Sequence, residues 1–257
     1  AVYSQGGALR VGDPLVDPTP IELAFPAGDF NEHALDFDPA SSLLTVCTPE
    51  EQVRCIDLGS RQELPPLRPG GPPAVAVFDP AGARLAVASG KSVHIYRYPA
   101  QELVRTIEVP ERVLDLDWHP DGTYLAGACN DGRVFLIAAS GEATLVLRGH
   151  TDLVSQVFFD PTGAVLVSTS WDGTTRCWAA GSGAPLFVNH SGFARQFDRS
   201  GTRLFYHREG TGLGEWEFLP ATGLQTLVAP LDVSRKVLGV DFSPDGLHVA
   251  AAIATGV

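Results

Sequence analysis

The sequence contains no methionine, only four cysteines and comparatively little positive charge. Of its 257 residues, 18 are basic and 30 are acidic, so the formal net charge at pH 7 is −12. A protein that binds nucleic acid normally carries a basic stripe that displaces counterions from phosphates, and this sequence has none. The charge balance therefore argues against nucleic acid and against an anionic membrane surface as partners.

Long hydrophobic runs are also missing. No apolar run reaches the roughly 18 residues that span a bilayer, and no basic segment followed by an apolar one opens the chain. We therefore expect no membrane insertion. The lack of an initiating methionine suggests a piece excised from a longer protein, with flanking domains and targeting signals outside it. The cellular location stays open, with the cytoplasm favoured.

The cysteines and histidines show no metal-binding pattern. There is no CxxC pair, and no histidine lies at a matching distance, which argues against a zinc site or a dense disulfide framework. Most of the cysteines lie in apolar, strand-like runs, where we expect buried, reduced thiols, although their redox state stays open. No metal or cofactor is expected. The four are Cys47, Cys55, Cys129 and Cys177.

A repeated phrase dominates what the sequence does contain. It consists of an aromatic residue, then Asp or a similar residue, then most often Pro, and a Gly two positions later. The phrase recurs at intervals of 41, 40, 41, 38 and 45 residues. This period matches the roughly 40 to 45 residues of a four-stranded propeller blade. We expect the first strand of each unit to end near this aromatic residue. The six aromatic positions are Phe37, Phe78, Trp118, Phe159, Phe197 and Phe242.

Each unit follows the same order of strands and turns. An alternating strand such as Val113 to Trp118 precedes a Pro/Gly turn, and a second strand rich in small residues follows, such as Tyr124 to Cys129. We expect these small residues to fit the crowded space near a propeller axis. A tight turn such as 130–132 then leads into a third strand, and a less regular fourth strand lies outermost.

One unit, Arg148 to Trp178, is the most complete. It combines a Gly-His pair, the turn Asp160-Pro161-Thr162-Gly163 and the turn Trp171-Asp172-Gly173. The stretch resembles a repeat of the WD-repeat (WD40) family. The resemblance implies a hydrogen-bonded network that holds one blade together, formed by His150, Ser170, Asp172 and Trp178.

The resemblance covers essentially the whole chain and implies an all-β fold. Residues 1–257 are expected to form a single WD40-type β-propeller of about six four-stranded blades, with five complete repeats and a half-repeat at each end. The two half-repeats are expected to complete one blade and close the ring. If this sequence is instead an arbitrary piece of a longer repeat region, the native ring contains more blades. The phrasing is similar to bacterial WD-repeat regions, which are often attached to domains such as serine/threonine protein kinases.

No catalytic constellation stands out. His150, Asp172 and Ser170 resemble a nucleophile, base and orienting acid, but the repeat accounts for the same residues as structure. The glycine-rich segment 210–214 precedes a strand instead of a helix, so a turn explains it better than a phosphate-binding loop. We therefore predict a protein that is not an enzyme.

Binding is the better prediction, because loops at blade edges vary without disturbing a rigid core. In WD-repeat proteins, the connection before the first strand and the turn between the second and third strands share one face. Trp171 on this face either projects to solvent as an anchor or packs against a neighbouring blade. The residues predicted to lie there are Phe30, Lys91, Arg112, Asn130, Asp152, Trp171, Arg195, Arg208 and Lys236.

The leading hypothesis is a non-enzymatic scaffold that binds a protein or peptide partner within a larger multidomain protein, for which the resemblance suggests a kinase-linked signalling protein as one setting. The alternative is a propeller enzyme or small-ligand binder that acts through the central channel, which requires acidic or histidine side chains repeated on several blades. A third hypothesis is an array of packed propellers, which exposed apolar side chains on an outer blade surface would favour.

Overall fold

The computed structural model describes most of the chain from residue 35 onward. Backbone is described for 2–5, 8–11, 21–24, 35–38, 42–48, 50–141, 143–190, 192–208, 212–219, 223–231, 237–242 and 249–253. Side chains are described for 35–38, 42–48, 50–141, 145–190, 192–207 and 214–216. Within these ranges the regular structure consists of 25 strands without a helix, so no helix there is long and apolar enough to cross a membrane.

Antiparallel sheets follow one another along the chain. A three-stranded sheet comes first, and its strands are β1 (Val2–Gln5), β2 (Ala8–Val11) and β3 (Ile21–Ala24). Five four-stranded sheets follow, which we call blades 1 to 5, and two further strands pair at the end. Blade 1 contains β4 (Leu35–Phe37), β5 (Leu43–Thr48), β6 (Gln52–Asp57) and β7 (Gln62–Leu67). Blade 2 contains β8 (Pro73–Phe78), β9 (Arg84–Ser89), β10 (Ser92–Arg97) and β11 (Glu102–Glu108).

The later blades repeat this order. Blade 3 contains β12 (Val113–Trp118), β13 (Tyr124–Cys129), β14 (Val134–Ala138) and β15 (Ala143–Leu147). Blade 4 contains β16 (Val154–Phe159), β17 (Val165–Ser170), β18 (Thr175–Ala179) and β19 (Pro185–Asn189). Blade 5 contains β20 (Phe193–Phe197), β21 (Arg203–Arg208), β22 (Gly212–Leu219) and β23 (Gly223–Leu231). The final pair is β24 (Val237–Phe242) and β25 (Val249–Ile253).

The first strands, not the second strands, lie innermost. β8 contacts β4 and β12, and β12 contacts β16, so the sheets meet through their first strands. The small residues of the second strands therefore need another explanation than closeness to the axis. In β9, Ala86 and Ala88 belong to the core shared with blade 3, while Leu85 and Val87 belong to the core shared with blade 1. A strand buried on both faces favours small and β-branched apolar side chains.

The repeated Asp-Pro-x-Gly phrase forms turns that join neighbouring blades. Asp79 caps its own turn, because its carboxylate accepts the backbone N–H groups of Ala83 and Arg84 at 2.8 and 3.0 Å. The Arg84 guanidinium then donates to the carbonyl of Gly122, in the corresponding turn of blade 3, at 2.7 Å. Blade 3 repeats the pattern, since His119 Nε2 lies 3.0 Å from the carbonyl oxygen of Gly163 in blade 4.

The chain ends form separate sheets. Among the described strands, no pairing joins β24 and β25 to β1, β2 or β3. Closure of a sixth blade from the two half-repeats therefore stays a prediction. All four cysteines are buried and free of disulfides. Burial raises the pKa of the Cys47 thiol to about 12 and that of the Cys55 thiol to about 11, so both are protonated at neutral pH.

Candidate functional site

The loops at one edge of blades 2 to 4 form a continuous surface. It begins at the turn between β9 and β10, where the Lys91 ammonium donates to the carbonyl of Pro110 at 3.1 Å and pairs with Glu111 at 3.3 Å. Next to it, the backbone N–H of Asn130 donates to the carbonyl of Arg112 at 3.0 Å. The loop before β12 thus lies between the turns of blades 2 and 3.

The surface continues into blade 4. A Cβ atom on Gly132 would come within 2.9 Å of the His150 carbonyl oxygen and 3.1 Å of the Asp152 carbonyl oxygen, so the Asn130 turn packs directly on the loop before β16. The loop before β16 also contacts the turn between β17 and β18, because the Trp171 backbone N–H donates to the Leu153 carbonyl at 3.0 Å. We call this surface the loop ridge. It comprises Lys91, 110–112, 130–132, 150–153 and 171–173.

A buried polar network anchors the blade 4 end of the loop ridge. His150 Nδ1 lies 3.0 Å from Asp172 Oδ2, and His150 Nε2 lies 2.8 Å from Ser168 Oγ. The Trp178 indole N–H donates to the same Ser168 oxygen at 2.9 Å. Neutral His150, donating from Nδ1 and accepting from the Ser168 hydroxyl at Nε2, satisfies all of these groups. Burial lowers the pKa of His150, against the effect of Asp172, and favours this neutral form.

The serine that joins His150 to Trp178 is Ser168, which was not predicted. Ser170 contacts the network only through Asp172, because its hydroxyl accepts the Asp172 backbone N–H at 3.1 Å and donates to the Asp152 carbonyl oxygen at 3.0 Å. Both serines lie on the same face of β17, because residues two apart in a strand share a face. Leu166 pairs directly with Trp178, so Ser168 is the serine diagonal to the indole and Ser170 is one pair further away. The structure thus brings His150, Asp172 and Trp178 together through Ser168, and the predicted Ser170 lies at the edge of the network, bonded to the Asp172 backbone.

Asp172 is the most heavily hydrogen-bonded member of the network. Burial alone would raise its pKa, but hydrogen bonds from Thr174, Thr151 and His150 outweigh that effect and hold the pKa below the usual range. The Thr151 and Thr174 backbone N–H groups donate to it at 3.0 and 2.9 Å. The ionised carboxylate therefore fixes the position of the loop before β16 and of the turn that carries Trp171.

Five of the nine predicted face residues lie on the loop ridge and are exposed: Lys91, Arg112, Asn130, Asp152 and Trp171. The exposed fraction of Trp171 is 68%, so its side chain projects to solvent instead of packing against a neighbouring blade. Arg195 lies inside β20 at a bulge and is half-buried, so its place on the predicted face stays a prediction. The side chains of Phe30, Arg208 and Lys236 lie outside the described residues.

Inward-facing acids are a feature that the sequence prediction missed. Asp36, on the innermost strand of blade 1, accepts the Phe78 N–H of blade 2 at 2.7 Å. Asp117, at the same position of blade 3, accepts the Phe159 N–H of blade 4 at 2.7 Å. Reading the residue before each repeated aromatic position would have found this pair, and Asp241 occupies the same position in the last unit.

These carboxyls link neighbouring blades, and they are weaker acids than an ordinary aspartate. Burial raises the pKa of Asp36 to about 7 and that of Asp117 to about 8, although hydrogen bonds from backbone N–H groups oppose the shift. Among the described residues, no group of three or more His, Cys, Asp or Glu side chains is arranged to hold a metal ion. Asp36 and Asp117 therefore have a structural role between blades, and this role accounts for them without a reaction or a ligand in the central channel.

Two family models match adjacent parts of the chain. The model for the WD domain, G-beta repeat, matches residues 141–179, and the model for the anaphase-promoting complex subunit 4 WD40 domain matches residues 83–148. Together these segments run from residue 83 to residue 179 and so include most of blades 2 to 4, whose loops form the loop ridge. The matches support the assignment of WD40 repeats to this part of the chain.

Similar curated proteins come from animals, fungi and plants. The rat serine-threonine kinase receptor-associated protein is 28% identical over 102 residues, which are 39% of this chain and 29% of that protein. Pre-mRNA-processing factor 19 of Schizosaccharomyces pombe is 24% identical over 220 residues, which are 78% of this chain and 44% of that protein. The chain thus spans less than half the length of either relative. Because these relatives are eukaryotic, they do not support the predicted similarity to bacterial WD-repeat regions.

Among solved structures, the β-propeller domain of Cps50 (Swd1) from Myceliophteria thermophila superposes with a TM-score of 0.75 at 15% sequence identity. The match covers 89% of this chain and 82% of that domain. It confirms the predicted all-β, WD40-type propeller fold, built from four-stranded blades.

Proposed function

We propose that this WD40-type β-propeller is a non-enzymatic scaffold that binds a protein or peptide partner on the loop ridge. The observation that carries the proposal is the exposed indole of Trp171 on a turn fixed by the buried His150–Asp172 network. Tryptophan is a frequent interface anchor, and an anchor held in place before binding loses little conformational freedom when the partner arrives.

The composition of the loop ridge also supports a protein partner. Arg112 and Asn130 are exposed, and no hydrogen bond of either side chain is made within the described residues. Lys91 pairs with Glu111, and Arg133 pairs with Asp131 at its border, so the loop ridge carries charges of both signs as well as the aromatic anchor. Such a mixture suits a polar interface rim better than a phosphate backbone, which requires a basic stripe.

The setting of this scaffold is a further part of the proposal. The relatives are longer than the region matched, which supports a multidomain protein with flanking domains. One relative carries the name of a serine-threonine kinase receptor-associated protein, and it motivates a test of kinase-linked signalling. An enzyme or small-ligand binder acting through the channel stays the alternative, to be tested by the effect of Asp36→Asn and Asp117→Asn on any such activity.

The decisive experiment is site-directed cross-linking in lysate of the source cell. A photo-reactive residue is placed at Asn130, and the captured protein is identified by mass spectrometry. Trp171→Ala should abolish its capture, because the anchor is lost while the buried network is untouched. Leu186→Ala is the matched control, because it removes an exposed apolar side chain from the outer strand of the same blade.

The two variants distinguish the loop ridge from the rest of the surface. Unchanged circular dichroism must first show that both are folded. Capture that survives Trp171→Ala contradicts binding on the loop ridge. Capture that Leu186→Ala abolishes instead favours contacts through the outer blade surface, where Leu103 and Val104 are also exposed.

A further inference from the structure

Trp171 differs from the other tryptophans of the chain. The exposed fractions of Trp118, Trp178 and Trp216 are 3 to 4%, against 68% for Trp171. The Ser170 hydroxyl, next to Trp171 in sequence, donates to the Asp152 backbone carbonyl at 3.0 Å. The Trp171 backbone N–H donates to the Leu153 carbonyl at 3.0 Å. These two bonds tie the segment that carries Asp152 to the segment that carries the exposed indole.

The indole face of Trp171 is left without a cation. Elsewhere the chain covers aromatic faces with its own guanidinium groups, since Arg84 lies 4.5 Å from the Trp118 ring centre and Arg133 lies 5.1 Å from that of Phe135. Within the described residues, no Lys or Arg side chain lies over Trp171 in this way. An aromatic face attracts a cation through its quadrupole, and tryptophan does so most strongly.

Asp152 supplies a negative charge on the loop that these bonds tie to the Trp171 turn. Its side chain is exposed, and one carboxylate oxygen accepts the Leu153 N–H at 2.7 Å. The other oxygen receives no hydrogen bond within the described residues. Asp172, the nearest other carboxylate in sequence to the indole, is already occupied by His150 and by two backbone N–H groups. One aromatic face and one carboxylate oxygen therefore remain for a ligand.

We infer that Trp171 and Asp152 together receive an arginine side chain of the partner protein. The inference rests on the proposed function and names the chemistry of its central contact. A guanidinium is flat, so it stacks on the indole and still directs an N–H group at the Asp152 carboxylate, which the compact ammonium of lysine does less well. The net charge of −12 also favours a cationic partner segment over an acidic one.

The test measures binding of a fluorescein-labelled tetra-arginine peptide to the whole chain by fluorescence anisotropy at physiological salt. Tetra-lysine and tetra-glutamine peptides are the comparison ligands. Exposed cation–π contacts and surface ion pairs each change affinity about two- to fivefold. We therefore expect Asp152→Asn and Trp171→Leu each to weaken tetra-arginine binding by about two- to fivefold, and Trp171→Phe to weaken it less.

Glu102→Gln is the matched control, because it removes one exposed negative charge from the outer strand of blade 2. It should leave the affinity within about 1.5-fold of the parent. Equal effects of Asp152→Asn and Glu102→Gln would mean non-specific attraction and would overturn the inference, as would equal affinity for tetra-glutamine. If the cross-linking at Asn130 succeeds while these peptides are not discriminated, the proposed function stands and this inference alone fails.

Discussion

The buried carboxyl of Asp117 makes the stability of the propeller depend on pH in an unusual direction. Burial raises its pKa to about 8, whereas an unfolded aspartate titrates near 4. Between these values the folded state holds a proton that the unfolded state has lost. The stability contributed by the protonated carboxyl is therefore fully present below pH 4 and is lost as pH rises toward 8. Most acidic groups act in the opposite direction.

A pKa of about 8 in the folded state against about 4 in the unfolded state corresponds to at most about 6 kcal/mol of unfolding free energy. The carboxyl keeps partial contact with solvent, which reduces this ceiling, and we expect roughly 2 kcal/mol. The groups facing Asp117 do not offset the penalty. Asp115 and Asp36 are acids that raise its pKa further, and β8 and β16 carry no titratable side chain.

Asp117→Asn tests this argument, because an amide oxygen still accepts the Phe159 N–H but does not ionise. Urea unfolding of parent and variant is measured from pH 5 to pH 9. The variant should match the parent within about 1 kcal/mol at pH 5 and exceed it by roughly 2 kcal/mol at pH 9. Asp121→Asn is the control, because hydrogen bonds from Thr123 lower the pKa of Asp121 to about 2, outside the measured range. A constant difference between parent and Asp117→Asn across all pH values would refute the reasoning.

Two further predictions concern packing between and within blades. Ser168→Ala should lower the free energy of unfolding by about 2 to 4 kcal/mol, because it leaves the buried groups of His150 and Trp178 unpaired. Ser170→Ala should cost less, about 1 kcal/mol, because the Asp152 carbonyl and the Asp172 N–H that it leaves are only part-buried, so water can replace the hydroxyl. Equal losses in chemical denaturation would contradict the assignment of Ser168 to the network. Gly163 and Gly173 both have a positive φ, of 75° and 80°. A Cβ atom added at Gly163 would collide with the His119 ring at 2.3 Å, whereas one added at Gly173 would meet no atom within 4 Å. Gly163→Ala should therefore lower the melting temperature several degrees more than Gly173→Ala does, and similar melting temperatures would argue against the His119 contact.

Local chemistry explains why the fold was predictable from the sequence. The phrase beginning at Phe78 encodes a strand end, a turn that proline favours and that places Gly82 at a positive φ, and a carboxylate that caps the turn, all within five residues. Ser168 was missed for the opposite reason. Its choice over Ser170 depends on the pairing of β17 with β18, and sequence spacing does not fix which serine lies diagonal to Trp178.

Polar ties between blades are of several kinds, and where they reach the loops bears on function. At the seam of blades 1 and 2, a carboxyl accepts a backbone N–H, while at the next seam the Trp118 indole donates to the Val77 carbonyl at 3.1 Å. At the seam of blades 4 and 5, the Thr175 hydroxyl donates to the Gly192 carbonyl at 2.9 Å. In blade 4, the loop before β16 is held at two adjacent points: Asp172 accepts the Thr151 N–H, and the Ser170 hydroxyl donates to the Asp152 carbonyl. The exposed Trp171 indole therefore lies on a turn whose neighbouring loop is fixed from the interior, and such preorganisation is what a binding site needs.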